Sequence, residues 1–204
     1  MSLVAAIRRT WSRSPGLGLL LALVLAAQGC STPGSGRAFD PESLDTESGW
    51  IAVKGMELTR QETREESGIA ALGMLLRHHG RAVLPEKIAQ ACPIEPGGGS
   101  RAGRMRDLAR SQGLEAFLFH GDLSDFSTEL ARGHPVLVGL VKHSASDAAT
   151  RYEVAVAIHP ERRQIVTLDS ASGWRSNSYE SFLREWNPAG RLTLVVFPPE
   201  AITP

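Results

Sequence analysis

The chain has little cysteine, no net charge and no apolar run long enough to cross a membrane comfortably. It has two cysteines in 204 residues, and its 22 basic residues balance its 22 acidic residues. Two cysteines exclude a dense disulfide framework, and balanced charge provides no basic patch that favours nucleic acid. Motifs typical of a bound metal or cofactor are also absent. We therefore expect one ordinary domain with additional segments, and no metal, cofactor or nucleic-acid partner.

Residues 1–29 are predicted to be a signal peptide. Arginines precede an apolar run, Leu17 to Ala27, which is short for a membrane span. Small residues then lead to Cys30, and this pattern resembles the bacterial lipoprotein signal, in which the cysteine carries the lipid. We therefore expect a lipid on Cys30 and a place in the cell envelope, facing the periplasm from the outer membrane if the host has two membranes. An ordinary cleaved secretory signal and an uncleaved anchor are the alternatives.

Residues 30–49 are predicted to be a flexible tether, followed by a globular domain over residues 50–204. Proline, glycine, serine and acidic residues dominate between 31 and 49, and no apolar period appears there. This composition is typical of linkers. We expect the tether to hold the globular domain just off a membrane.

The run from Ile69 to Leu76 contains no polar side chain. A helix that is apolar on every side is a buried helix. Ser67 stands where an N-cap is expected, and Gly80 can close the helix in a left-handed turn. Adjacent helical side chains converge poorly on one ion, so His78 and His79 indicate packing at the helix end rather than a metal site. We expect the rest of the domain to cover this helix.

The remaining pattern predicts helices followed by mostly antiparallel strands joined by short turns. Further helices are predicted at residues 85–91, 101–112, 122–132 and 178–186. Strands are predicted at residues 50–53, 114–119, 136–141, 152–158, 164–168 and 192–197, with a polar loop at 142–150. This order indicates an α+β fold with one helical side and one sheet side.

Several short motifs occur in one order and carry a resemblance. They are Gln61 followed after five residues by Ser67-Gly68-Ile69-Ala70, the helix end His78-His79-Gly80, Gly99-Ser100, Gly133-His134-Pro135-Val136, Arg151-Tyr152-Glu153-Val154-Ala155-Val156, Asp169-Ser170 and Phe182 to Trp186. Over about residues 55–200 the chain resembles the papain-like double-glycine peptidases, which process bacteriocins. The resemblance implies a papain-like fold, with an N-terminal helical half packed on a C-terminal antiparallel sheet.

The same comparison places Ser67 where the family has its nucleophilic cysteine and Arg151 where it has its histidine. The family's Gln and Asp positions are kept, as Gln61 and Asp169. A serine hydroxyl needs a general base within hydrogen-bond reach, and an arginine stays protonated at physiological pH. We therefore expect the site formed by these four positions to be degenerate and cysteine-protease activity to be lost.

Three local alternatives stay open at this stage. Ser67 is either an N-cap hydroxyl or a nucleophile. Arg151 and Asp169, if they keep the family's geometry, form an ion pair that rigidifies the site or offers a docking point for a peptide carboxylate. His143 is a possible substitute base in a Ser67–His143–Asp169 arrangement.

Three functions follow from these alternatives. The first is a membrane-tethered binding module for a peptide or partner protein. The second is a peptidase or serine hydrolase that uses Ser67 with His143 and Asp169. The third is a scaffold in an envelope or secretion assembly, in which the cleft has no role.

Overall fold

A computed structural model describes residues 36–44, 48–63, 66–95, 101–144 and 147–200, and for residues 143, 144 and 147–149 it describes the backbone alone. The predicted signal peptide, Cys30 and the Gly99-Ser100 motif lie outside these residues. Within the described ranges, no helix combines the length and apolar character that crossing a membrane requires.

The described residues form five α-helices and eight strands of one antiparallel sheet, which confirms the α+β class. The helices are α1 Ser67–His78, α2 Pro85–Ala91, α3 Ala102–Ser111, α4 Leu123–Ala131 and α5 Tyr179–Trp186. The strands are β1 Arg37–Ala38, β2 Ile51–Ala52, β3 Glu115–His120, β4 Val136–Ser144, β5 Asp147–His159, β6 Gln164–Asp169, β7 Gly173–Ser178 and β8 Leu192–Phe197. The order across the sheet is β1-β7-β6-β5-β4-β8-β3, and β2 pairs with the C-terminal end of β5.

Helix α1 is buried along nearly its whole length, as its apolar run predicts. Nine of its twelve residues are buried, and it packs mainly on β5 and α2. Gly80 has φ +71°, and the N–H of Arg81 donates to the carbonyl of Leu76 at 2.8 Å. The helix therefore ends in the predicted left-handed turn, which glycine adopts without steric cost.

Helices cover both faces of the sheet, whereas the sequence pattern predicts one helical side. The ring of Tyr152 lies beside Gly68 of α1, while Glu153 is joined through Lys142 to Glu185 of α5. Neighbouring residues of a strand point to opposite faces of its sheet, so α1 and α5 lie on opposite faces. Helix α4 packs against α5 through aromatic rings. The predicted helical half is confirmed, and a second helical layer is added to it.

The predicted tether is wrong for residues 36–44, which lie against the sheet. Strand β1 pairs with β7, and the N–H of Phe39 donates to the carbonyl of Trp174 at 3.0 Å. The Phe39 ring also packs edge-on against Trp50, with 5.7 Å between centroids. One aromatic anchor and main-chain pairing hold a stretch whose composition otherwise indicates a linker. The other residues of the predicted tether that are described, 48 and 49, lie next to Trp50.

The predicted polar loop at 142–150 is also wrong in its described part. Strand β4 continues to Ser144 and β5 begins at Asp147, so the two strands extend into a long hairpin. Strand β7, with the polar sequence Gly-Trp-Arg-Ser-Asn-Ser, is not among the predicted strands. Both errors have the same cause, because main-chain pairing holds a strand in place even where its side chains are polar and show no alternation.

We expect Leu72→Ala to lower the free energy of unfolding by about 2–5 kcal/mol, because Leu72 is fully buried in α1 and truncation leaves a cavity. The matched control is Leu84→Ala, because Leu84 is 65% exposed and should change stability by less than about 0.5 kcal/mol. Urea unfolding followed by tryptophan fluorescence measures both values. Equal losses in the two variants would contradict the buried position of α1.

Candidate functional site

Three of the four site residues predicted from the resemblance line one surface cleft of about 570 Å³, here called the Arg151 cleft. They reach it from different parts of the chain: Gln61 from the segment before α1, Arg151 from β5 and Asp169 from the end of β6. Its other lining residues include Glu62, Thr63, Lys142, Ser172 and Arg175. The cleft is therefore polar and carries side chains of both charges.

The turn between β6 and β7 is fastened to the segment before α1 and forms one wall of the cleft. The N–H of Gln61 donates to the carbonyl of Ser170 at 3.3 Å, and the Ser170 hydroxyl donates to the side-chain carbonyl of Gln61. The Arg60 guanidinium donates to the carbonyl of Ala171 at 2.7 Å. The Asp169 carboxylate accepts the N–H of Ala171 at 2.9 Å. These bonds set the positions of Gln61 and Asp169 together.

Ser67 is buried and does not line the cleft. The residue is 3% exposed, and its hydroxyl accepts the backbone N–H of Tyr152 at 3.3 Å. Ser67 is not one of the described residues that line the Arg151 cleft. The predicted N-cap role is also wrong, because Glu66 is the N-cap residue of α1. The Ser67 hydroxyl is engaged across the helix–strand contact instead of at the helix end.

The β4–β5 hairpin separates Arg151 from His143. Arg151 is opposite Leu140, while His143 is opposite Ala148, three positions further along β4. At about 3.3 Å per residue, this places the His143 backbone about 10 Å further along the strand. The hairpin places Arg151 at the cleft, whereas the backbone of His143 lies three residues further along the hairpin towards its turn.

A buried charge network lies next to the cleft, and the sequence patterns do not predict it. The ammonium of Lys142 is 2.9 Å from a carboxylate oxygen of Glu153 and 2.6 Å from one of Glu185. The Thr167 hydroxyl donates to the second oxygen of Glu153 at 2.6 Å. Lys142 also lines the Arg151 cleft, so the network joins the cleft to α5.

Burial and ion pairing act in opposite directions on this network. Burial by itself lowers the pKa of Lys142, but the attraction of Glu153 and Glu185 outweighs burial and raises that pKa above its ordinary value. Burial raises the pKa of Glu185, and Lys142 opposes the rise. The one available sequence signal is Glu153, an acidic residue inside an apolar strand, which requires a buried partner.

The other reactive side chains in the described part of the chain are in structural settings. A ring nitrogen of His78 lies 3.2 Å from the carbonyl of Gly133. Burial, followed by repulsion from His78, lowers the pKa of His79 to about 4. Burial raises the pKa of the Cys92 thiol to about 11, so little reactive thiolate forms at neutral pH. The described residues contain no group of three side chains suited to a metal ion.

We expect Lys142→Met to lower the free energy of unfolding by about 3–5 kcal/mol near neutral pH, because it leaves buried carboxylates without their cation. Removing Lys142 removes the attraction that restrains the pKa of Glu185, so this pKa rises further. A carboxyl with a raised folded-state pKa loses stability as pH rises through that pKa, so the deficit should shrink on acidification towards pH of about 4. Chemical denaturation across this pH range measures the effect.

Arg184→Met is the matched control for Lys142→Met. Arg184 forms an exposed ion pair with Glu180 on α5, and such pairs contribute about 0–1 kcal/mol. A similar loss in both variants, or a Lys142→Met deficit that does not change with pH, would contradict the buried network.

Comparisons with known proteins agree with this architecture. A solved double glycine motif protease from an AMS/PCAT transporter, in complex with a leader peptide, is 19% identical; the match covers 72% of this chain and 94% of that chain, with a TM-score of 0.58. The peptidase domain of Streptococcus ComA is 19% identical over 71% of this chain and 99% of its own, with a TM-score of 0.60. A putative C39-like peptidase from Bacillus anthracis is 13% identical over 72% and 96%, with a TM-score of 0.59.

At these identities, the solved structures establish the papain-like fold alone. A comparison with curated proteins gave no match. The family model of the Peptidase C39 family matches residues 56–200, which is most of the chain. The predicted resemblance to double-glycine peptidases is thereby confirmed, and the chain belongs to the Peptidase C39 family.

Proposed function

We propose that this protein is a peptide-binding member of the Peptidase C39 family that does not hydrolyse peptides, and that a lipid on Cys30 holds it at the cell envelope. The observation that carries the proposal is the setting of Ser67. Its hydroxyl is buried and accepts the N–H of Tyr152, while Arg151 lines the cleft at the position that the family resemblance assigns to histidine.

The chemistry of these side chains argues against hydrolysis. A serine nucleophile requires a base that removes its proton, and the group bonded to the Ser67 hydroxyl is a hydrogen-bond donor. A guanidinium cannot accept that proton or deliver it to a leaving amine. Loss of a nucleophile or of its base costs on the order of a millionfold in rate in a serine protease. The cleft keeps its polar contacts, but the family's two catalytic positions no longer supply a nucleophile and a base.

The shape of the site supports binding of an extended peptide. A second groove of about 260 Å³ lies between α1 and α2 and shares Gln61 and Glu62 with the Arg151 cleft. Its lining includes apolar side chains, among them Ile69, Val83 and Ile88. The two regions adjoin at Gln61 and Glu62, and the groove combines apolar side chains with charged ones such as Arg77 and Glu86. A structurally similar protease was solved with a leader peptide, which is consistent with a peptide ligand.

We expect the full-length chain to bind a fluorescein-labelled peptide ending in Gly-Gly saturably and to leave it intact, as measured by anisotropy and mass spectrometry. A fluorophosphonate probe should not label Ser67, because its hydroxyl is buried and bonded to an N–H donor instead of a base. Ser67→Ala should bind the peptide as the parent chain does. Probe labelling or peptide cleavage that disappears in Ser67→Ala would favour the serine hydrolase, and absence of saturable binding would favour the scaffold.

We expect Cys30→Ala to move the protein from the membrane fraction to the soluble fraction of expressing bacteria and to abolish incorporation of labelled palmitate. Cys92→Ala is the matched control, because Cys92 is buried in the core and should leave both measurements unchanged. A Cys30→Ala protein that stays in the membrane fraction and still incorporates palmitate would contradict the proposed lipid on Cys30.

A further inference from the structure

We propose that the histidines at the C-terminal end of α1 form an acid-sensitive contact, which holds this helix to the α4–β4 turn and to β8 and weakens when His79 takes up a proton. This cluster, here called the histidine contact, consists of His78, His79 and His134. It lies about 17 Å along the axis of α1 from Ser67, at the other end of the helix. The proposal therefore concerns a part of the fold that the Arg151 cleft does not use.

The three histidine rings join three elements of the fold. The ring centroids of His78 and His79 are 4.8 Å apart, and those of His79 and His134 are 6.5 Å apart. His134 lies in the turn between α4 and β4 and stacks on Phe197 of β8, with 4.6 Å between centroids. A ring nitrogen of His78 lies 3.2 Å from the carbonyl of Gly133 in the same turn. The end of α1 is therefore attached to the α4–β4 turn and to β8 at one place.

The surroundings of the His79 ring favour its neutral form. Its Nε2 atom is buried and has no hydrogen-bond partner among the residues that the structure describes. A proton on this nitrogen creates a buried donor without an acceptor, which costs free energy. Burial is also the largest cause that lowers the pKa of His79 to about 4 from its ordinary value of 6.5, and a hydrogen bond to the backbone of Val196 only partly opposes it.

The charged and titratable neighbours add to the effect of burial. Three groups repel a positive charge on the His79 ring, namely His78, His134 and Arg81. Glu129 of α4 supplies a carboxylate, which lies 2.9 Å from Nδ1 of His134 and 3.3 Å from the guanidinium of Arg132. This carboxylate is shared between those two partners, so acidification adds positive charge to a cluster that already contains arginines.

The direction of the pH effect follows from the two protonation states. In the unfolded chain the His79 ring takes up a proton near its ordinary pKa of 6.5, whereas in the folded chain it resists protonation down to about pH 4. Stability is therefore lost as pH falls through this interval, because the unfolded state binds a proton that the folded state excludes. At pH values above this interval the ring is neutral in both states and the histidine contact is complete.

The first test measures urea unfolding of the full-length chain at pH 7 and at pH 5, followed by tryptophan fluorescence. The variant His79→Phe keeps an aromatic ring but cannot take up a proton. We expect acidification to raise the unfolding equilibrium constant of the parent chain about tenfold more than that of His79→Phe, as a shift of one pKa unit corresponds to a factor of ten. The ring is partly exposed, and screening by solvent keeps the effect below that of a fully buried group.

His120→Phe is the matched control. His120 is exposed and pairs with Leu192, so it lies at the other end of the β3–β8 pair from Phe197. This variant should lose as much stability on acidification as the parent chain does. Equal losses in the parent chain and in His79→Phe would overturn the inference.

A titration of the histidine rings of the parent chain by nuclear magnetic resonance decides the matter even if His79→Phe fails to fold. We expect the His79 ring to be still neutral at about pH 5.5 in the folded chain. A His79 ring that takes up its proton near the ordinary pKa of about 6.5 would overturn the inference. Neither measurement involves a peptide, so the proposed function is tested separately.

Discussion

The packing of α1 on β5 is the contact on which the rest of the structure depends. An apolar helix must be covered on all sides, and in this domain strands, α2 and α3 supply the cover. The bond from the Tyr152 N–H to the Ser67 hydroxyl joins the first turn of α1 to the same strand that carries Arg151. Ser67 and Arg151, the residues that the sequence resemblance predicts at the family's cysteine and histidine positions, are therefore both attached to the core.

The opposite face of the sheet has a different physical character. Glu153 follows Tyr152 along β5, points away from α1 and meets Lys142 and Glu185. Such a network offsets the desolvation of its ions only if every member is paired, and Thr167 supplies the remaining contact to Glu153. One strand thus carries Tyr152 against α1, Glu153 in the buried ionic network and Arg151 at the cleft.

The elements that the sequence predicts correctly are those specified by residues within a few positions of one another. The bounds of α2 and β8 and the turn at Gly80 are predicted correctly, because proline at a helix start, an apolar strand and glycine after a helix act within a few residues. Strands β1 and β7 are not predicted, because their side chains are polar and their positions depend on main-chain partners far away in the sequence. The cap prediction for Ser67 fails, since no local pattern shows that its hydroxyl bonds to a strand 85 residues later.

By itself, the sequence determined the family and the buried helix, and it predicted Ser67 and Arg151 at the family's cysteine and histidine positions, because these are properties of residue type and spacing. Only the tertiary structure decided which of those residues share a cleft. It brought Gln61, Arg151 and Asp169 together, buried Ser67 against the backbone of Tyr152 and paired Lys142 with Glu153 and Glu185. Those arrangements depend on strand register and on which face each side chain takes, and a shift of one residue would reverse the face.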